Sequence, residues 1–341
     1  MSALARDTRP LLVTGGAGFI GGAVQNVHWL KERWDRRITM IEADVRDHAM
    51  LGYAAREAGA VFHLAAQVAV TTSLDDPLHD FEVNVAATVS LLDAIRRRGE
   101  PVPLVFASTN KVYGSLHDVD LEIRGDAYAP SDAHHRLLGV GESRPLDFHT
   151  PYGCSKGAAD QYVLDFARCY GIPAIVLRKS CVYGRRQMGT EDQGWVAHFA
   201  ICALEERPIT IYGDGRQVRD LLDVADTVEA YVQAWKRHQQ VAGRAFNLGG
   251  GPENATSLRD VLAHIERLVG RGVRVEHADW RPGDQRWYVT DARRARTELH
   301  LPAFTPWRSG VAELVSWLAE QRRIALPSPL RRATPSRVAV V

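Results

Sequence analysis

Tyr152 and Lys156 stand four residues apart in Tyr-Gly-Cys-Ser-Lys, a spacing that puts both side chains on one face of a helix. A phenol and an ammonium so placed can approach the same substrate atom. Free tyrosine titrates near ~10, and a neighbouring lysine charge favours the phenolate and moves that value toward working pH. Arginine could supply the charge, but lysine brings a compact ammonium that can also hydrogen-bond a ribose. The pattern alone is common on helix surfaces. Two further stretches give it company. In TGGAGFIG, Gly15, Gly18 and Gly21 follow an apolar strand and open a helix, with Phe19 and Ile20 between them. Missing side chains allow a tight turn and let backbone N–H groups approach a pyrophosphate, which the helix dipole favours. A tight turn with no ligand is the bland alternative; the strand before and the helix after weigh against it. In STNKVYG, Ser108 to Gly114, Thr109 leaves the apolar strand PLVFAS. Carboxyl ends of parallel strands face the crevice where ligands bind, so Thr109 can hold a sugar hydroxyl, or else simply form a serine/threonine turn.

These groups need a scaffold. A chain of 341 residues can bury a core as one large or two intimate domains. Its 45% hydrophobic and 24% charged content is that of an ordinary globular protein. A net charge of +1 gives no reason to expect nucleic acid or membrane as a partner. No run of about 20 apolar residues suits a membrane span, and MSALARDTRP lacks the apolar segment of a signal peptide. Cys154, Cys169, Cys181 and Cys202 form no C-x-x-C pair, so neither a metal site nor a disulfide framework is expected, and a reducing cytoplasm fits. Only five of the 42 basic residues are lysines: Lys31, Lys111, Lys156, Lys179 and Lys236. In so arginine-rich a chain each lysine is a candidate for a specific task, although codon bias also explains scarcity.

Apolar runs LLVT (11–14), ITMIEA (38–43), AVFHLAA (60–66), PLVFAST (103–109) and AIVLRKS (174–180) alternate with helical patterns. That alternation predicts an α/β fold with a doubly wound parallel sheet. In the helix over 84–98, Val85, Val89, Leu92 and Ile95 share a face, and Arg96–Arg98 suit the end of the dipole before Gly99. ITIYGDG (209–215) and RAFNLGG (244–250) read as later strands, and Ser257 with Asp260 as a capping box opening the next helix. The expected organisation is a cofactor domain over 1–185, to which 214–243 returns, and a smaller interleaved domain over 186–325. The acid-free, proline-containing tail 326–341 is expected to be disordered.

In this order, the three chemical pieces resemble the extended short-chain dehydrogenase/reductase family, the nucleotide-sugar epimerases and dehydratases, from about Leu11 to Trp317. DFHTPYGCSKGAADQYVLDFARCYG (147–171), STNKVYG, DQGWV (192–196), FHLAAQVAVTTS (62–73) and YGDGRQVRD (212–220) are similar to a subgroup acting on CDP-linked sugars. The resemblance implies a Rossmann-like domain and NAD as cofactor, with Thr109, Tyr152 and Lys156 at the catalytic positions. Leu64, Ala65, Ala66, Gln67 and Ser108 then border the cofactor. Asn84 supports the lysine or an ordered water; on its own it would be a solvent-facing helix residue. Asn110, Gln187, Gln193, Arg219 and Arg281 face the substrate, the two arginines at its diphosphate; without the resemblance they would be surface arginines. Trp195 either joins the substrate loop or fills the core. No metal is implied. A homodimer through helices 84–98 and 152–170 is implied as one use of their apolar faces, with internal packing as the other.

One departure stands out. Only 23 positions separate Gly21 from Asp44, too few for the helix, second strand and loop that family members carry there. A helix over 19–34 followed by strand 38–43 is still a complete β-α-β unit of about 30 residues. The expectation is that ITMIEA pairs beside LLVT, making Glu42 the ribose acid and placing Asp44 and Val45 near the adenine. The reaction implied is NAD-dependent epimerisation through a transient keto-sugar, at carbon 2 of a CDP-linked dideoxyhexose. A net sugar dehydrogenase or reductase is an alternative within the enzymes. A 4,6-dehydratase needs an acid/base pair where Asn110 and Lys111 stand. From another class, the shortened start allows a non-catalytic nucleotide-binding regulator.

Overall fold

The computed structural model describes residues 9–16, 18 and 37–327. Its centre is a parallel sheet in the order Leu11–Thr14, Ala60–His63, Leu104–Thr109, Ala174–Lys179, Arg244–Leu248. Leu104–Thr109 is buried along its whole length, as expected of an apolar run covered by helices on both faces. Leu91, Leu92, Ile95, Phe106, Val163 and Val176 pack on one face, tying helices Ala87–Arg97 and Thr150–Tyr170 to the sheet. On the other face Val105, Leu177, Phe246 and Leu248 pack against Tyr231 and Ala234 of helix Val224–Lys236. Beyond the rim, strand Val218–Asp223 joins Cys181–Tyr183, Ala255–Ser257 and Trp287–Tyr288, and Ile209–Tyr212 pairs with Val275–Ala278. A separate core lies beneath them, where helix Trp195–Leu204 packs with Leu258–Val269 and Trp307–Arg322.

Local signals place several boundaries. Helix Thr150–Tyr170 opens with Pro151 in its first turn and closes at Gly171, φ 70°, a left-handed cap that suits glycine. The Ser257 hydroxyl accepts from Asp260 N, as the capping pattern requires. The helical segment before Ala87 departs from regular periodicity: Glu82–Ala86 is a π turn, a wide turn often found near functional sites.

The strand expected at 38–43 does not form. Ile38–Ala43 is irregular and largely exposed, and the sole sheet partner of Leu11–Thr14 among the described residues is Ala60–His63. The segment is spent as a lead-in to the crossover: Asp44–Asp47 turns, and the Asp47 side chain accepts from Met50 N to cap helix His48–Arg56. Leu11 and Val13 accordingly stay 44% and 39% exposed. The premise that put Glu42 at a strand's carboxyl end goes with it. Phe19, Ile20, Gly21 and the helix expected over 19–34 lie outside the described residues, as do residues 328–341 of the tail.

Candidate active site

Thr109, at the carboxyl end of its strand, caps the short 3-10 turn Asn110–Tyr113: its hydroxyl accepts from Lys111 N at 3.2 Å. The hydroxyl in turn donates to Asn110 Oδ1 at 3.4 Å, and its nearness to Tyr152 favours the phenolate. Tyr152 is held from behind, its backbone N–H donating to buried Ser73 Oγ at 3.2 Å. Lys156 lies one turn along the same helix, buried, with Nζ 4.2 Å from the centre of the Phe106 ring. Burial decides both acidities. It pushes the Tyr152 phenol up to about 12, further helped by the negative charge of Asp80. It pulls Lys156 down to about 7, helped by Lys179 and opposed by Asp160 and Asp80. The expected drift of the phenol toward neutrality is thus outweighed by desolvation within the protein itself.

Asn84 sits on the π turn and reaches two elements at once. Its side chain exchanges a pair of 3.1 Å hydrogen bonds with the Gln67 backbone, accepting from N and donating to O. The same Nδ2 lies 3.0 Å from Asp80 Oδ1 and 3.1 Å from Ser155 Oγ, so its two hydrogens are shared among three acceptors. Asn84 therefore clamps loop 64–69 to the residue before Lys156 without touching the lysine. Ser108 points away from the crevice and donates to Asp160 Oδ2 at 2.7 Å. That carboxylate also receives both arms of Arg178, at 2.9 and 2.8 Å, in an ion pair buried on both sides.

The glycine turn rests on a directed chain of hydrogen bonds. Thr88 Oγ1 donates to Asn84 O, so it accepts from His63 Nε2 at 3.0 Å. His63 Nδ1 then accepts from Thr14 Oγ1 at 2.6 Å, and Thr14 Oγ1 accepts from Ala65 N. A neutral His63 fits, because burial and the nearby Lys156 charge hold its pKa down to about 3. Gly15, φ 70°, brings the turn so near loop 64–66 that an added Cβ would lie 2.6 Å from Ala65 N. Buried Gln67 Oε1 has no partner among the described residues. A backbone cradle with no room for side chains, beside an orphaned acceptor, fits a dinucleotide's pyrophosphate and polar ring. Of the remaining expected cofactor contacts, Asp44 is engaged by Arg46, at 2.7 Å from Nη2, which holds its carboxyl down at about 2. Val45 packs against the core beneath the sheet's helices.

A cavity of about 410 Å³ opens over Thr109 and Tyr152 and is also bordered by Asn110, Gln193, Arg219 and Arg281. Trp195 joins this wall too. Gln187 does not border it; its amide donates to Val182 O at 3.2 Å and packs under Gly194, supporting the loop. Both arginines already have partners. Arg219 Nη2 donates to Asp284 Oδ1 at 2.6 Å, while Arg281 stacks 3.8 Å from the centre of Tyr212 and reaches Asp192 Oδ1 at 3.2 Å. Residue typing alone missed Asp80, Asp160 and Asp284. For Lys111, whose Nζ donates to Gly283 O at 2.9 Å, lysine scarcity was the available signal.

A parallel sheet whose rim carries this phenol, ammonium and glycine cradle is the architecture of a nucleotide-dependent sugar-modifying enzyme. Residues 11–249 match the NAD dependent epimerase/dehydratase family, and the chain belongs to it. It is 36% identical to the CDP-paratose 2-epimerase of Salmonella typhi over 90% of this chain and 98% of that protein. With the dTDP-glucose 4,6-dehydratase of Neisseria gonorrhoeae the identity is 30%, covering 92% and 96%. The solved UDP-glucose 4-epimerase of Thermus thermophilus in complex with NAD superposes with a TM-score of 0.73 at 30% identity, covering 91% of this chain and 98% of that one.

Proposed function

We propose that this protein is an NAD-dependent nucleotide-sugar epimerase that inverts carbon 2 of a CDP-linked deoxyhexose. The observation that carries the reading is that Thr109 and Tyr152 share the wall of a sugar-sized cavity with Arg219 and Arg281. Tyr152 takes the proton of the reacting hydroxyl and later returns it. Thr109 orients that hydroxyl, and Lys156, one turn on, contributes positive charge and a donor for the cofactor ribose. Gly15, Gly18 and loop Leu64–Gln67 hold NAD, which when bound accepts and returns a hydride and carries a positively charged ring. Inversion requires the oxidised sugar to offer its other face, so the chain must hold the nucleotide firmly and the sugar loosely. Arg219 and Arg281 suit the first task, and the apolar cavity walls, such as Val68, Val70 and Phe199, suit the second. The similarity to a CDP-sugar epimerase favours cytidine as the base.

Among relatives, 4,6-elimination is the alternative, and Asn110 with Lys111 speaks against it, since neither offers a carboxylic acid next to Thr109. The expected partner beyond the substrate is a second copy. Leu74, Leu78 and Phe81 are exposed apolar side chains, Leu78 at 74%, as is Tyr162 on the helix of Tyr152. A reducing cytoplasm suits four cysteines that are all free. The test is to incubate purified protein with CDP-, UDP- and dTDP-linked sugars and follow epimers by NMR and cofactor by native mass spectrometry. Carbon-2 epimers from a CDP-sugar, lost in Tyr152→Phe, are expected. Bound NAD with no turnover of any sugar would overturn the reading in favour of a regulator.

A further inference from the structure

The two residues after Thr109 both reach across to a segment far along the chain. Asn110, whose Oδ1 accepts from the Thr109 hydroxyl, donates from Nδ2 to Gln285 Oε1 at 3.0 Å. Gln285 Nε2 returns a hydrogen bond to Gly114 O. Lys111 Nζ donates to Gly283 O at 2.9 Å and stands 3.8 Å from Asp284 Oδ1. Segment 281–285 is thereby tied to the turn that leaves Thr109. A second cation meets the same carboxylate oxygen: Arg219 Nη2 donates to Asp284 Oδ1 at 2.6 Å, while Nη1 donates to Val218 O at 2.8 Å. Lys111, Arg219 and Asp284 all border the cavity over Thr109 and Tyr152, with side chains only 20%, 11% and 24% exposed. Burial works against the Asp284 carboxylate, but the charges of Arg219 and Lys111 outweigh it and hold the group below its ordinary value. One anion therefore stands between two cations in the cavity wall. Arg219 and Asp284 cancel, and the surplus charge is that of Lys111.

We infer that Lys111 is a positioning residue for the substrate's diphosphate: by sharing Asp284 with Arg219, and by holding that segment at Gly283, it leaves Arg219 with positive charge to offer. An arginine neutralised at 2.6 Å in a part-buried wall has little attraction left for an incoming anion. With the ammonium on its other side, Asp284 keeps a partner when Arg219 turns part of its charge to a phosphate. Neither the carboxylate nor the phosphate is then left unmatched, and their mutual repulsion is offset. Tethering alone does not call for lysine here. Gly283 O would be satisfied by any neutral donor, and Asn110 already binds the same segment through Gln285. The charge is what the position needs. Because Lys111 sits two residues from Thr109, the same side chain also fixes the diphosphate end of the cavity relative to the reacting end. This role rests on the proposed reading that Arg219 meets the diphosphate, but it is measurable without turnover.

The experiment is calorimetric titration of the full chain, with NAD present, by CDP and by UDP. Lys111→Met and Lys111→Gln are each expected to weaken nucleoside diphosphate binding about tenfold, whereas Lys111→Arg, which keeps the charge, holds most of the affinity. Lys111→Met combined with Asp284→Asn frees Arg219 from its carboxylate and is expected to regain most of what Lys111→Met lost. If Lys111 were only a tether, the double variant would be as weak as the single or weaker. Unchanged affinity in both neutral variants, or a double variant no tighter than Lys111→Met, overturns the inference. Should Lys111→Met unfold, Lys111→Gln carries the neutral arm, since its amide can still donate to Gly283 O. Binding of UDP in preference to CDP, with the same pattern across the variants, would remove the cytidine reading and leave the inference standing. Epimerisation of a CDP-sugar by variants whose CDP affinity is unaltered would do the reverse.

Discussion

Asp160→Ala breaks the contact that joins the Lys156 helix to the strand of Lys179. Asp160 is completely buried, accepts two arms of Arg178 at 2.9 and 2.8 Å, and also accepts from Ser108 at 2.7 Å. Arg178 in turn donates to Tyr113 OH, which donates to Asn247 Oδ1 on the last strand of the sheet. Removing one partner of a buried ion pair costs about 3–5 kcal/mol, because the other charge is left desolvated and unpaired. The Ser108 hydroxyl loses its acceptor as well, so we expect Asp160→Ala to lower the unfolding free energy by about 4 kcal/mol, a large part of a typical total of about 5–15 kcal/mol. The paired replacement Asp160→Met with Arg178→Met removes both charges and is expected to cost less than Asp160→Ala alone. Urea unfolding followed by the fluorescence of the eight tryptophans measures all three chains. A loss below about 1 kcal/mol in Asp160→Ala, or a double variant destabilised as much as Asp160→Ala, refutes the account.

Two further outcomes follow from the glycine turn. His63 is held neutral to about pH 3 when folded, against about 6.5 when unfolded, so its contribution is complete above 6.5 and is lost as pH falls from 6.5 toward 3. Urea midpoints at pH 7, 6, 5 and 4 should therefore fall less steeply in His63→Gln, by up to about 1.4 kcal/mol per pH unit, and parallel curves would contradict this. Gly15→Ala sets a Cβ 2.6 Å from Ala65 N at a backbone angle of 70° that alanine rarely adopts. Its NAD affinity by calorimetry should drop at least about tenfold, and unaltered binding would show that the turn does not cradle the cofactor.

The five sheet strands were legible as strands because each is an apolar run bounded by turn residues, although Arg244–Leu248 was expected in the smaller domain and instead closes the parallel sheet. Ser257 was legible because a cap is a local pattern. ITMIEA has the composition of a strand and forms none: composition states a preference, while a strand also needs a neighbour, and the chain here is drawn into the crossover helix. The π turn around Asn84 was hidden because a 3.6-residue periodicity has no symbol for one extra residue. Spacing could announce Tyr152 with Lys156, but not Asp160 with Arg178 or Lys111 with Asp284, whose meeting depends on how distant elements pack. Scarcity of lysine was the one compositional clue that reached beyond the motifs, and it pointed at the rim.

The shortened start bears on affinity more than on chemistry. The glycine turn is fixed from the side of strand Ala60–His63, by the chain running from Ala65 N through Thr14, His63 and Thr88 to Asn84. Asn84 then continues through Ser155 to the helix of Tyr152 and Lys156. Every link lies on the same flank of Leu11–Thr14, opposite the edge that family members cover with further sheet. Were no carboxylate to meet the ribose there, one charged hydrogen bond would be lost, about 1.5–3 kcal/mol, or ten- to a hundredfold in cofactor affinity. It does not move Thr109, Tyr152 or Lys156, which take their places from strands and helices on the intact side. Cofactor that exchanges more readily, at a reacting pair still held in place, is the outcome we expect from such a loss.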